Sequence, residues 1–165
     1  MTDKATATVP GPGPTATRLL IPIDATERSR WGIRYALRQH EQGLPVQVCL
    51  LFVAEPVSSL ELLRFRTHEE IARFQTWSGQ MLIEDAAEPL VRAGIGHESA
   101  MREGQASFQI LDAAEQLDCA AVVLPEPQAS VARILCRDVT REVLDQTPPL
   151  PVITVDAEGR EVKTR

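Results

Sequence analysis

The sequence predicts an α/β domain in three layers, an open, mostly parallel sheet of five strands with helices on both faces. Short apolar runs alternate with amphipathic segments, the order that right-handed β-α-β crossovers need. The run Val46 to Ala54 (VQVCLLFVA) is apolar almost without a break rather than at every second residue, as a strand covered by helices on both faces must be. Aromatic residues are 4% of the 165 and hydrophobic residues 44%, so the core falls to Val, Leu, Ile and Ala, and the length suits one domain.

Met1 to Thr17 holds Pro10, Gly11, Pro12, Gly13 and Pro14 among Thr and Ala, and reads as a flexible arm that buries too little to offset the entropy of ordering. Arg18 to Ile23 (RLLIPI) is the first strand, and Asp24, Ala25 and Thr26 then open a helix. That helix, Glu27 to His40, has Thr26 as N-cap, turns Ile33, Ala36, Leu37 and His40 to one face, and ends at Gly43 and Pro45. Val46 to Ala54 is the second strand. A long helix from about Glu69 to Arg92 follows, with Ile71, Phe74, Met81 and Leu82 toward the core and Pro89 expected to kink its last turn.

Gly94 and Gly96 terminate the long helix, and Glu98 to Arg102 is a weak third strand. Gly104 turns into a helix whose face is Ser107, Ile110, Leu111, Ala114 and Leu117. Ala120 to Leu124 is the fourth strand, Arg137 to Gln146 the last helix, and Val152 to Val155 the last strand. The chain thus divides into an arm (1–17), one domain (18–156) and a polar tail (157–165).

Composition narrows the function. With 17 Lys and Arg against 23 Asp and Glu the net charge is -6, which argues against a nucleic-acid partner. No apolar run approaches the ~20 residues that span a bilayer and no leader precedes the domain, so a membrane partner is not expected and a cytoplasmic location is. Cys49, Cys119 and Cys136 form no CxxC pair, which speaks against a disulfide framework or a zinc site. Cys49 reads as an inert core residue; Cys136, beside Arg137 at a helix start, has a setting that lowers a thiol pKa, with plain packing the preferred reading.

Catalytic signals are missing as well. His40, His68 and His97 fall in different elements without ligand spacing, so no metal is expected. Ser58, Ser59, Ser107 and Ser130 lack a nucleophile elbow, so no catalytic residue is assigned. Phe74 and Trp77 near Arg64, Arg66 and Arg73 have the residue types of a base-stacking platform, but on an acidic chain they read as a solvated helix face.

Ligands on such sheets bind beyond the carboxyl ends of the strands, and the loops there bring Asp24, Val53 to Glu55 and Pro125 to Ser130 to one crevice. Four segments in order, LLIPIDATERS, VCLLFVAEP, MREGQASFQILDAAEQLDCAAVVLP and DVTREVLDQTPPLPVITV, resemble the universal stress protein family over about Arg18 to Asp156. The resemblance implies a Rossmann-like sheet of strand order 3-2-1-4-5 and a cytoplasmic homodimer, with ATP bound by some members and not by others.

Nucleotide-binding members carry an Asp after the first strand, which Asp24 matches, and a Gly-x-x-Gly then Gly-Ser/Thr pattern between the fourth strand and last helix. Here Leu124, Pro125, Glu126, Pro127, Gln128 and Ala129 stand in place of the glycines, and Arg137 and Asp138 near the later pair. A phosphate cradle needs close backbone approach and successive N–H donors; Pro125 and Pro127 each delete a donor, Glu126 adds negative charge, and Asp138 can cap the helix where a phosphate would sit. Arg133 and Arg137 still offer guanidinium donors, and Asp24 reads equally as a helix cap or a ligand contact.

The family's nucleotide-site positions are therefore Asp24, Val53, Leu124, Pro125, Arg137 and Asp138, read as vestigial, with no cofactor expected. The expected function is a non-catalytic stress-response module acting through a protein partner and a homodimer formed by the last strand, Val152, Ile153, Thr154 and Val155. One alternative is a sensor of ATP or AMP with adenine beside Asp24 and Val53. The other is an adenylyl-transferring enzyme, for which neither His-x-Gly-His nor Ser-Gly-Gly-x-Asp-Ser is present.

Overall fold

Alternate residues of the central strands face opposite ways, and in this chain both directions are apolar, so two cores form, one on each side of the sheet. The structure, a computed structural model, describes residues 16–57, 64–129 and 137–163. Five strands are β1 (Thr17–Pro22), β2 (Val46–Ala54), β3 (Gly96–Glu103), β4 (Ala121–Pro125) and β5 (Val152–Val155). The helices are α1 (Trp31–Glu41), preceded by a 3-10 turn at Glu27–Arg30, α2 (His68–Ala93), α3 (Ala106–Gln116) and α4 (Val139–Asp145). The strands pair in the order β3-β2-β1-β4-β5 and every pairing is parallel.

Leu19, Ile21, Val48, Leu50 and Val123 pack with Ile33 and Ala36 of α1 and Ile83 and Leu90 of α2. Leu20, Cys49, Leu51, Val122 and Leu124 pack with Ile110 and Ala114 of α3 and Val143 of α4 on the other side. This alternation accounts for the unbroken apolar run in β2. Each buried Leu, Ile or Val contributes about 1.5–3 kcal/mol.

Several expected details change. Thr26 caps no helix: its N–H and hydroxyl both donate to Asp24 Oδ1, at 2.7 Å and 2.5 Å, and this Asx turn leads into the 3-10 turn instead. His40 is exposed, and Tyr35 is buried beside Ile33 and Ala36, so the apolar face of α1 is rotated from the expected one.

In α2 the buried residues are Gly79, Ile83, Ala86, Ala87 and Leu90, whereas Phe74 and Met81 are 64% and 50% exposed. The half before Gly79 contributes no fully buried residue. A Cβ on Gly79 would come within 2.7 Å of Phe52 Cε1 and 2.8 Å of Met101 Cε, so the glycine lets the helix close onto β2 and β3. A capping box starts α2, with Glu70 N–H donating to Thr67 Oγ1 at 3.1 Å and Thr67 N–H to Glu70 Oε2 at 2.9 Å. Pro89 does not end α2, which continues to Ala93 and stops at left-handed Gly94.

β3 is no fragment: all eight residues pair with β2, from Gly96 opposite Gln47 to Glu103 opposite Ala54. The segment after β5 folds back on the sheet. Asp156 takes the N–H groups of Glu158 and Arg160 on one oxygen, Val155 and Glu161 form an antiparallel bridge, and Val162 N–H donates to Thr154 O at 2.7 Å. Gly159 permits this with φ +72° and a backbone contact that leaves no room for a side chain, its Cβ position being 2.5 Å from Tyr35 N. Among the described residues no helix is long and apolar enough to cross a membrane.

Candidate functional site

The reversal of strand order between β1 and β4 leaves a crevice at the carboxyl ends of β1, β2 and β4. A cavity of about 230 Å³ opens there, and Asp24, Val53, Leu124, Pro125, Arg137 and Asp138 all line it. Its apolar wall includes Ile23, Leu51, Ile110 and Val139, and Thr26, Arg28, Ser29, Gln128 and Thr140 complete the polar rim. Ser58, Ser59, Ser130, Arg133 and Cys136 lie outside the described residues, as does all of the arm before Ala16.

Arg137, which shares the rim with Arg28, is engaged by carboxylates. Its Nε and Nη2 donate to Glu142 at 2.5 Å and 2.7 Å, and its Nη1 donates to Glu55 Oε1 at 2.6 Å. The Glu142 hydrogen bond raises the Arg137 pKa, and the Arg137 bond holds Glu142 below the usual carboxylate range. A two-pronged pair of this kind carries roughly twice the strength of a neutral hydrogen bond, and a ligand anion has to displace it.

Glu55 holds a second position too. Its Oε1 accepts the Ala106 N–H at 3.0 Å, the first amide of α3, so the side chain sits where a helix start would receive a ligand anion. Asp138 does the same for α4, accepting Arg141 N–H at 3.3 Å, and its other oxygen takes Gln128 N–H from the loop after β4 at 2.9 Å. Among the described residues of that loop Pro125 and Pro127 offer no amide. Glu126 N–H donates to Val155 O at 2.8 Å.

The hydroxyls also point inward. Thr140 donates to Pro125 O at 2.9 Å and Ser29 to Thr26 O at 2.9 Å. Arg28 donates to Glu126 O and lies 4.5 Å from the centre of the Trp31 ring. Asp24 is exposed; its Oδ1 accepts two hydrogen bonds, both from Thr26, and its backbone carbonyl accepts the Ser29 hydroxyl at 3.2 Å.

Sequence spacing brought Glu55 and Gln128 to the crevice without a role of their own and did not single out Thr140, Glu142 or Ala106. Glu55 stands 82 residues from Arg137, and no motif announces such a pair. The Asp138–Arg141 spacing, an Asp three residues before a helical amide, was a cap legible beforehand, and it starts α4 two residues later than Arg137.

Other flagged residues stand apart from the cavity. His40, His68 and His97 lie on α1, α2 and β3, and among the described residues no group of three or more His, Cys, Asp or Glu could hold a metal. Phe74 and Trp77 meet at 6.2 Å between ring centres on the exposed part of α2, and Arg73 beside them pairs with Glu69 at 2.5 Å. Cys49 is buried in the core as expected; its Sγ lies 2.9 Å from Glu98 Oε1, and the Cys119 thiol and Arg18 guanidinium hold its pKa down at about 7. The same bond raises Cys119.

A model of the universal stress protein family matches residues 15–156. No curated protein sequence matches. Among solved structures, a universal stress protein family member from Burkholderia pseudomallei is similar at 14% identity and TM-score 0.65, over 87% of this chain and 98% of that one. A family protein from Arabidopsis thaliana with AMP bound is similar at 14% identity and TM-score 0.61, over 85% of this chain and 91% of that one. A universal stress protein in complex with cAMP is similar at 13% identity and TM-score 0.61, over 86% and 97%. At such identities the likeness is one of fold.

Proposed function

The chain belongs to the universal stress protein family, and on that premise we propose that it is a non-catalytic stress-response module of the cytoplasm that acts through a second copy of itself and a protein partner, without holding ATP. One observation carries this reading: Glu55, Asp138 and Glu142 already occupy the Arg137 guanidinium and the amides of Ala106, Gln128 and Arg141, groups among the described residues that a phosphate chain would use. The reading is tested by mass analysis of small molecules released on denaturing the purified protein, with calorimetric titration by ATP. No released nucleotide and no heat are expected, whereas stoichiometric ATP uptake would overturn it.

Self-association is proposed through Val152, Ile153, Thr154 and Val155 of β5, the outer strand on its side of the sheet. Pairing there has to compete with the chain's own residues 161 and 162, which lie against Thr154 and Val155. A second reading, a sensor for a nucleotide smaller than ATP, is favoured by the neighbours holding AMP and cAMP. It predicts AMP in the released material.

A further inference from the structure

The outer side of α2 carries a surface that the domain does not use. Phe74, Trp77 and Met81 recur at helical spacing along one stripe and are 64%, 60% and 50% exposed, and the Phe74 and Trp77 rings meet there at 6.2 Å. An apolar residue alone on a surface is ordinary, whereas a contiguous patch of aromatic and Met side chains has the make-up of an interface centre. The patch is also fixed to the domain, because the capping box starts the helix and Gln75 Nε2 donates to Glu55 O at 2.9 Å from the inner side.

Charge indicates what fits it. Arg64 and Arg66 precede the stripe and Glu84 follows it, and none of the three enters an ion pair among the described residues. The neighbouring charges are matched within the chain: Arg73 by Glu69, Asp85 by Arg30, Glu88 by Arg92, and Glu70 by the Thr67 cap. Unpaired cations at one end and an unpaired anion at the other complement the same stripe laid antiparallel, while a parallel copy brings like charges together. The register agrees. Arg66 stands eight residues before Phe74 and Glu84 seven after Trp77, so a two-fold axis between the two rings brings these charges to the same level.

We propose that the face of Phe74, Trp77 and Met81 is a self-association surface on which a second copy packs antiparallel, with Phe74 against Trp77 of the partner subunit and Arg66 against Glu84 of the partner subunit. This surface is separate from β5, which forms one edge of the sheet while α2 packs on β2 and β3 at the other side. It is small beside the roughly 20–30 residues a side of a stable dimer, so pairing through it alone is weak, with a dissociation constant on the order of 100 µM, and the face stays open at micromolar concentration. Together with β5 it gives each chain two unlike contacts, which is what an assembly larger than a dimer requires.

Sedimentation velocity of the full chain from about 1 µM to about 500 µM tests the proposal. A reversible association step is expected at the upper end, with a blue shift of Trp77 emission. Trp77→Glu, at an exposed position where the fold is not at stake, is expected to weaken that step about tenfold or more, and Ile153→Pro to leave it unchanged. Arg66→Glu and Glu84→Arg should each weaken it about threefold, and the two together should restore it. A chain that shows no such step overturns the proposal, and so does a double charge variant that restores nothing. Association lost in Ile153→Pro but kept in Trp77→Glu belongs to β5; it overturns the α2 contact and leaves the proposed function standing. Should Ile153→Pro not fold, Trp77→Glu and the charge exchange decide alone.

Discussion

Glu142 shows how one ion pair sets a pH dependence. Arg137 holds its carboxyl below the ordinary value of 4.5, so the unfolded chain binds the proton more readily than the folded one. The stabilisation is therefore complete above about pH 4.5 and is lost as the pH falls through the folded value. Because both partners are partly exposed, it amounts to within about 1 kcal/mol, and Glu142→Gln should flatten the fall in stability below about pH 4.5 in urea titrations. Gly79→Ala is expected to destabilise despite better helix propensity. It gains about 1 kcal/mol as a helix former and loses about 1–3 kcal/mol by overpacking Phe52 and Met101, for a net fall in the urea midpoint. At this scale the sequence was partly legible. Asp24, Val53, Leu124, Pro125, Arg137 and Asp138 share one cavity, yet Glu55 stayed without a role because only folding brings it to Arg137.

Among the elements, β2 was readable in its ends and its faces, α2 in its ends but not in its buried face. VQVCLLFVA is apolar in both directions because it serves two cores, a signal that depends on no neighbour. In α2 the large side chains Phe74, Trp77 and Met81 follow helical spacing on one face, while the face on the sheet is Gly79, Ile83, Ala86, Ala87 and Leu90. Size misleads here, since close approach to β2 and β3 requires small residues. The expected outcome separates the two faces: Trp77→Gln should change unfolding free energy by no more than about 0.5 kcal/mol and Leu90→Ala should cost about 2–5 kcal/mol, read from chemical denaturation. An equal loss from both would mean that the exposed face is covered.

For the molecule as a whole, strand order and layering follow from the alternation of elements, but the ribbon after β5 does not, because its polar residues carry no period and are held by an Asx turn and a glycine. That ribbon governs the proposed self-association. Deleting residues 157–165 should raise the dimer fraction at micromolar concentration in sedimentation velocity, and Ile153→Pro should lower it again; a truncated chain that stays monomeric would remove β5 as the interface. The clasp on Arg137 spans the same whole, since Glu55 follows β2 on one side of the sheet reversal and Glu142 belongs to the helix on the other. Freeing the guanidinium by mutation consequently demands two independent changes, because either acid alone still pairs with it.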